Sequence, residues 1–366
     1  MHQIGDIVFL NDISKLPKEI LEDICTDLTI DTDGTSSDLA NRVWAFVQSN
    51  RKKQNSTISK AHNKLLAGRI GVSWFELEDK DSLKGLKAKI IKESSFNPFE
   101  KIQLPNINEI TTEPVLFAAA QGEKESQYFL RYAYRNGVRK HTDFTEVTLV
   151  PRSDVATIYV DEEIGLIEVR AGSKNAQKVA SSLAQLVKQQ ITLEQKKILA
   201  PFGNKVGLIA DRLKGEMIDT TSIPELIFEN FEAEHTTAII EILNALNSFF
   251  DEDDESELIS SLRGASAVFE DHLLTVPFTA LILNGMERVG MRTTDGDLRN
   301  QPLYVNLAPH LQNQGGFIKF NYPIGGVEKS FTIRVGKTTN SVAFTTPATE
   351  EVINYVRDMI ILDQET

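Results

Sequence analysis

Asp161, then Glu168-Val169-Arg170 in an apolar strand-like run, then a helix opening at Lys174, form an arrangement that suggests catalysis. In metal nucleases two such carboxylates hold Mg²⁺, and a lysine two residues after the second orients the attacking water. Arg170 stands at the lysine position here, and arginine stays protonated and cannot play the same part. Asp161-Glu162-Glu163 also suits an ordinary hairpin turn, and Glu168 with Arg170 reads as an exposed charge pair on one strand face. A Mg²⁺-dependent nuclease using Asp161, Glu168 and Arg170 is therefore an alternative reading and not the leading one. Gly336-Lys337-Thr338 mimics the end of a phosphate-binding loop, but Phe331 occupies the position where that loop needs its first glycine. The histidines form no His-x-x-x-His pair, and a single cysteine, Cys25, excludes a disulfide framework and a thiolate metal site. No catalytic residue, metal site or cofactor is expected.

Holding an anion is a second kind of chemistry, and Thr35, Ser36 and Ser37 suit it. They precede Leu39, Val43, Trp44, Phe46 and Val47, whose spacing predicts a helix. The N-terminus of a helix offers unpaired N–H groups and a partial positive charge, which favour a phosphate. Arg42, Arg51, Lys52 and Lys53 lie near enough in sequence to add cationic contacts, while Asp31, Asp33 and Asp38 surround the same turn with negative charge.

These residues need two helices to position them. Leu16, Ile20, Leu21, Ile24, Cys25 and Leu28 form one apolar stripe from about Pro17 to Leu28, and Asp33-Gly34 punctuates the turn that follows. With Leu39, Arg42 and Val43 after that turn, the segment resembles the SAP-type helix-extension-helix module, over about a tenth of the chain. The resemblance implies DNA contact by backbone amides at the second helix's N-terminus, aided by Thr35, Ser36, Ser37, Arg42, Arg51, Lys52 and Lys53. Thr35 stands where that family usually has lysine after the turn glycine.

Beyond this head, residues 50–101 carry 12 basic and 6 acidic residues, a helix is expected over 56–66, a strand over 68–78 and a lysine-rich helix over 81–92. Val72, Trp74 and Phe75 fit core packing in that strand. A linker is read at 96–113. Strands follow at 115–121, 127–135, 146–150, 156–160 and 166–171, with Asn136-Gly137 and Glu163-Ile164-Gly165 as turns, then a helix over 174–189. Helices resume at 205–214 and 234–250, and the acidic run 251–257 breaks them. Strands at 317–322, 329–335 and 341–345 precede a helix over 349–361, with Gly325-Gly326 as a hairpin turn.

The chain has 366 residues, 41% apolar and 25% charged, and a net charge of −13. Sixteen acidic and three basic residues between Ala210 and Thr275 account for all of that charge, so the acidity does not exclude a DNA-binding N-terminal half. No signal peptide or membrane-length apolar stretch is seen, so a cytoplasmic location is expected.

The expected fold class is α+β and multidomain. A helical head occupies 1–100, a central antiparallel sheet with a helix 110–200, an acidic helical region 201–275, and a small C-terminal β-β-β-α unit 276–366. The leading functional reading is a non-enzymatic nucleic-acid-binding or adaptor protein whose head contacts DNA, in a bacterial DNA-transaction or anti-phage defence system. A protein-interaction scaffold working through the acidic residues 210–275 is the other alternative.

Overall fold

A computed structural model of the protein describes residues 1–50, 54–77, 83–106, 109–188, 191–224, 233–252, 255–269 and 288–363. Arg51, Lys52, Lys53, Asp253 and Asp254 therefore lie outside the described residues, as do parts of the expected elements at 68–78, 81–92 and 174–189.

The fold is α+β. The head supplies helices α1 (Lys18–Asp27) and α2 (Ser36–Ser49), followed by strand β1 (Gly71–Leu77) and helix α3 (Leu86–Glu93). Strands β2 (Val115–Gln121), β3 (Gln127–Thr142), β4 (Val147–Asp161) and β5 (Leu166–Arg170) lead into helix α4 (Ser173–Leu186). Strand β6 (Leu193–Gln195), helix α5 (Val206–Arg212) and strand β7 (Glu216–Pro224) come next. Helices α6 (Ala233–Glu252) and α7 (Glu255–Phe269) pack on each other through Ala238, Ile242 and Ala265. Strands β8 (Val289–Arg292), β9 (Leu311–Ile324), β10 (Val327–Gly336) and β11 (Ser341–Phe344) end at helix α8 (Glu350–Arg357).

The eleven strands among the described residues join one antiparallel sheet in the order β2-β3-β4-β5-β1-β11-β10-β9-β7-β8, with β6 paired to β1. The central and C-terminal segments thus share a sheet, with β1 bridging β5 to β11. Two meanders, β3-β4-β5 and β9-β10-β11, are each followed by a helix, and the helices cover opposite faces. Helix α4 packs on Phe75, Ile158 and Ile167, whereas α8 and α5 pack on Val72, Ile333 and Val335. The period-2 alternation of β1 produces this split, since Trp74 and Phe75 are both fully buried but face different layers.

The head is a layer of the same body. Ile7, Ile13, Leu21, Ile24, Leu39 and Val43 pack on Phe117, Phe129 and Tyr159 of β2, β3 and β4. Cys25 is buried within this layer, and burial pushes its thiol up from its usual value. Buried Arg131 of β3 donates two hydrogen bonds, 2.7 and 2.6 Å, to the Asp12 carboxylate below it.

Asn136-Gly137 is not the hairpin turn that the sequence suggests. The pairing of β3 with β4 continues through a register shift between Arg135 and Val138, and the chain reverses only at Asp143–Glu146. Gly137 has φ +88°, so the dipeptide's tolerance of left-handed backbone serves a β-bulge instead of a turn. The segments 146–150 and 156–160 are consequently one strand. Gly325 and Gly326, both at positive φ, do close the β9–β10 hairpin. The hydrophobic period does not predict strands β6, β7 and β8. β7 lies in an acidic stretch whose alternation is interrupted by two register shifts against β9. Among the described residues, no helix is long and apolar enough to cross a membrane.

Candidate nucleic-acid interface

The Thr35 donors at the start of α2 are engaged within the chain. The Thr35 hydroxyl accepts from the Asp38 amide at 3.3 Å and donates to the Asp38 carboxylate at 2.7 Å, while the Thr35 amide donates to that carboxylate at 2.8 Å. This reciprocal capping box places a carboxylate where a phosphate would sit. Hydrogen bonds from Thr35 hold the Asp38 carboxyl below its usual range, so it remains anionic. Arg42 is spent on the same turn: Nη1 donates to the Asp31 carbonyl at 3.0 Å and to the Asp33 carbonyl, and Nη2 pairs with the Asp31 carboxylate at 3.1 Å. Ser36 is half-buried and Ser37 exposed. Thr35→Ala is expected to lower stability by about 0.5–2 kcal/mol through loss of the cap. DNA affinity of Thr35→Ala and Arg42→Ala, read by fluorescence anisotropy, is expected to stay within twofold of the parent.

The carboxylates of the nuclease reading are buried and already satisfied. Glu168 accepts from Trp74 Nε1 at 2.9 Å and from Arg170 Nε at 2.8 Å, and Arg357 Nη1 lies 3.5 Å away. Arg170 also spans to Glu350 of α8, with Nη2 donating to Oε2 at 2.8 Å, and its Nη1 donates to the Leu66 carbonyl at 3.0 Å. The expected exposed charge pair is thus a fully buried one, because β5 lies in the interior of the sheet beneath the head and α8. Burial alone would raise the Glu168 carboxyl, but the charges of Arg170 and Arg357 and the bonds from Arg170 and Trp74 hold it below the usual range. Asp161 is also buried and accepts from Gln127 Nε2 at 2.8 Å and from the Glu163 amide at 3.0 Å. Among the described residues, no group of three acidic, histidine or cysteine side chains is arranged to hold a metal ion. The cluster ties β1 and β5 to α8 and is architectural.

The feature that the sequence patterns do not announce is the far half of the β3–β4 hairpin. From Gly137 to Ser153 every residue is exposed, so two strands leave the sheet as an arm with solvent on both sides. Directly paired residues share a face. Arg139 pairs with Val150 and His141 with Thr148, and Arg152 lies on the same side by alternation. Val138 pairs with Pro151, Lys140 with Leu149 and Thr142 with Val147 on the other. One face is thus basic and the other largely apolar. Between Arg135 and Ser153 stand four basic residues (Arg135, Arg139, Lys140 and Arg152) against two acidic ones, Asp143 and Glu146, in a chain of net −13. Phe144 is fully exposed at the tip.

The arm's root is fixed. The Arg135 amide donates to the Thr111 carbonyl at 2.6 Å, and Asn136 Nδ2 donates to Asp154 at 3.2 Å. Beside them burial, with the charge of Asp154, pushes the Tyr134 hydroxyl up to about 12. No protein-family profile matches this chain, and neither does any curated protein.

Proposed function

We propose that the protein is a non-enzymatic nucleic-acid-binding protein whose contact element is the β3–β4 arm. The observation that carries this reading is the free-standing two-stranded ribbon with Arg139 and Arg152 exposed on one face. A two-stranded ribbon is one of the two element types that the major groove of duplex DNA admits, and arginine suits both phosphate and guanine. An isolated two-stranded hairpin is marginal in water, so an arm of this length gains order from what it docks against. The setting expected from the sequence, a bacterial DNA-transaction or anti-phage defence system, is proposed with it.

The test is a fluorescence-anisotropy titration of labelled duplex and single-stranded DNA with full-length protein at low and physiological salt. Arg139→Glu, Lys140→Glu and Arg152→Glu combined are expected to weaken binding at least tenfold. The salt slope should fall by about 0.9 for each phosphate that the arm no longer neutralises. All three side chains are exposed, so the variant is expected to keep the parent's melting temperature. Affinity unchanged in this variant would overturn the reading. The weight would then pass to a protein-interaction scaffold, for which α6 carries no lysine or arginine and exposes Ile240 and Phe250.

A further inference from the structure

On the sheet face opposite α5 and α8, a cavity of about 390 Å³ opens beside Gly172 and Ser173 at the start of α4. Its floor is bare because Gly71 of β1, Gly315 and Gly316 of β9 and Gly336 of β10 meet there. A Cβ on Gly71 would stand 2.6 Å from the Ala171 carbonyl oxygen, and one on Gly315 2.6 Å from that of Val335. Close approach of neighbouring backbone therefore requires these two glycines. The strand register places Gly315 and Gly336 toward the end of the sheet opposite to the one from which the arm departs.

The wall is cationic and hydroxyl-rich. Arg288 and Arg334 line it with Ser173, Thr338 and Thr339, and among the described residues no acidic side chain does. Both arginines are exposed, and neither guanidinium is hydrogen-bonded to a described residue. The Arg334 guanidinium lies over the Phe317 ring, 5.9 Å from its centroid. On the adjoining strand Asp219 feels Arg292 and Arg334, yet its own burial pushes its carboxyl above the usual range. The Gly336-Lys337-Thr338 fragment forms the β10–β11 turn at the cavity's lip, as a hairpin and not a phosphate-binding loop.

We infer that this cavity binds a nucleoside phosphate. Two guanidinium groups without a hydrogen-bond acceptor among the described residues suit a phosphate, whose oxygens accept parallel N–H bonds from arginine. The Arg334–Phe317 stack presents a flat surface of the kind on which bases stack. The volume is that of a small-ligand site. This inference stands apart from the reading of the arm, since it uses different residues and a different ligand size.

Isothermal titration calorimetry of the full chain with each of the four ribonucleoside monophosphates, inorganic phosphate, adenosine and a 5′-phosphorylated pentanucleotide tests it. At least one monophosphate or the pentanucleotide is expected to bind, ten times or more tighter than adenosine or phosphate alone. Arg288→Glu with Arg334→Glu is expected to weaken that binding at least tenfold at an unchanged melting temperature, whereas the arm variant leaves it unaltered. Binding of monophosphates alone identifies a free nucleotide, and tighter binding of the pentanucleotide identifies a chain end. No heat with any nucleotide, or binding indifferent to the two arginine substitutions, overturns the inference. Loss of DNA binding in the arm variant is a separate result and leaves this one standing.

Discussion

A chain that begins at Gly68 is expected to be insoluble or to lack cooperative unfolding, even though it retains the whole sheet. Removing the head uncovers Phe117, Phe129 and Tyr159, which are almost completely buried against Ile7, Leu21 and Val43. Burying one such side chain is worth about 1.5–3 kcal/mol. Three of them approach the whole stability of a typical domain, about 5–15 kcal/mol. The truncation also removes Asp12, the carboxylate partner of Arg131, which stays buried only while the head is present. Breaking such a pair costs about 3–5 kcal/mol, so Asp12→Ala in the full chain should lose roughly that amount in urea denaturation. A soluble, monomeric, cooperatively unfolding chain from Gly68 onward would show that the head is an independent module.

Replacing Glu168 is the second change with a large effect. Glu168→Ala leaves Arg170 and Arg357 without the carboxylate that both face and strips Trp74 Nε1 of its acceptor. The expected cost is about 3–5 kcal/mol, the range for removing one partner of a buried ion pair. The pH dependence follows from the direction of the shift. The Glu168 carboxyl is held below its usual value in the folded protein, so its contribution is fully present above the unfolded-state value, about 4.3. That contribution is lost as pH falls through the folded-state value. The stability difference between the parent and Glu168→Gln should therefore be constant from about pH 6 to 8 and shrink below about pH 4. A difference that stayed constant on acidification would mean that Glu168 is not the charged partner of these arginines.

Two uses of charge in this protein lie close in sequence and far apart in consequence. Arg131 and Arg170 are buried, matched by carboxylates and spent on joining layers. Arg139 and Arg152, a few residues away along the same meander, stand in solvent on an arm that no layer covers. Composition alone does not separate these groups, because all four arginines occupy strand positions with apolar neighbours. What separates them is whether the strand still has a neighbour on each face. That changes at the Arg135/Val138 bulge, where the hairpin outgrows the sheet.

The sequence by itself determined the secondary structure wherever the hydrophobic period was uninterrupted. The strand at 115–121 stands where its apolar run places it, and the strand at 166–170 and the helix at 173–186 agree within a few residues. It also determined the α+β class and the start of the second head helix to within a residue or two, although the cap is Thr35 with Asp38 and not Ser36 or Ser37. Tertiary structure decided everything that depends on which faces meet. It joined the central and C-terminal strands through β1, a strand distant in sequence from both, and folded the head onto their sheet. It buried Glu168 and Arg170, which local alternation places on an exposed face, because α8 brings Glu350 and Arg357 to them from some 180 residues away. It also left residues 137–153 uncovered. An apolar or charged side chain carries the same local pattern in a core as in an arm, and only the presence or absence of a packed neighbour distinguishes the two.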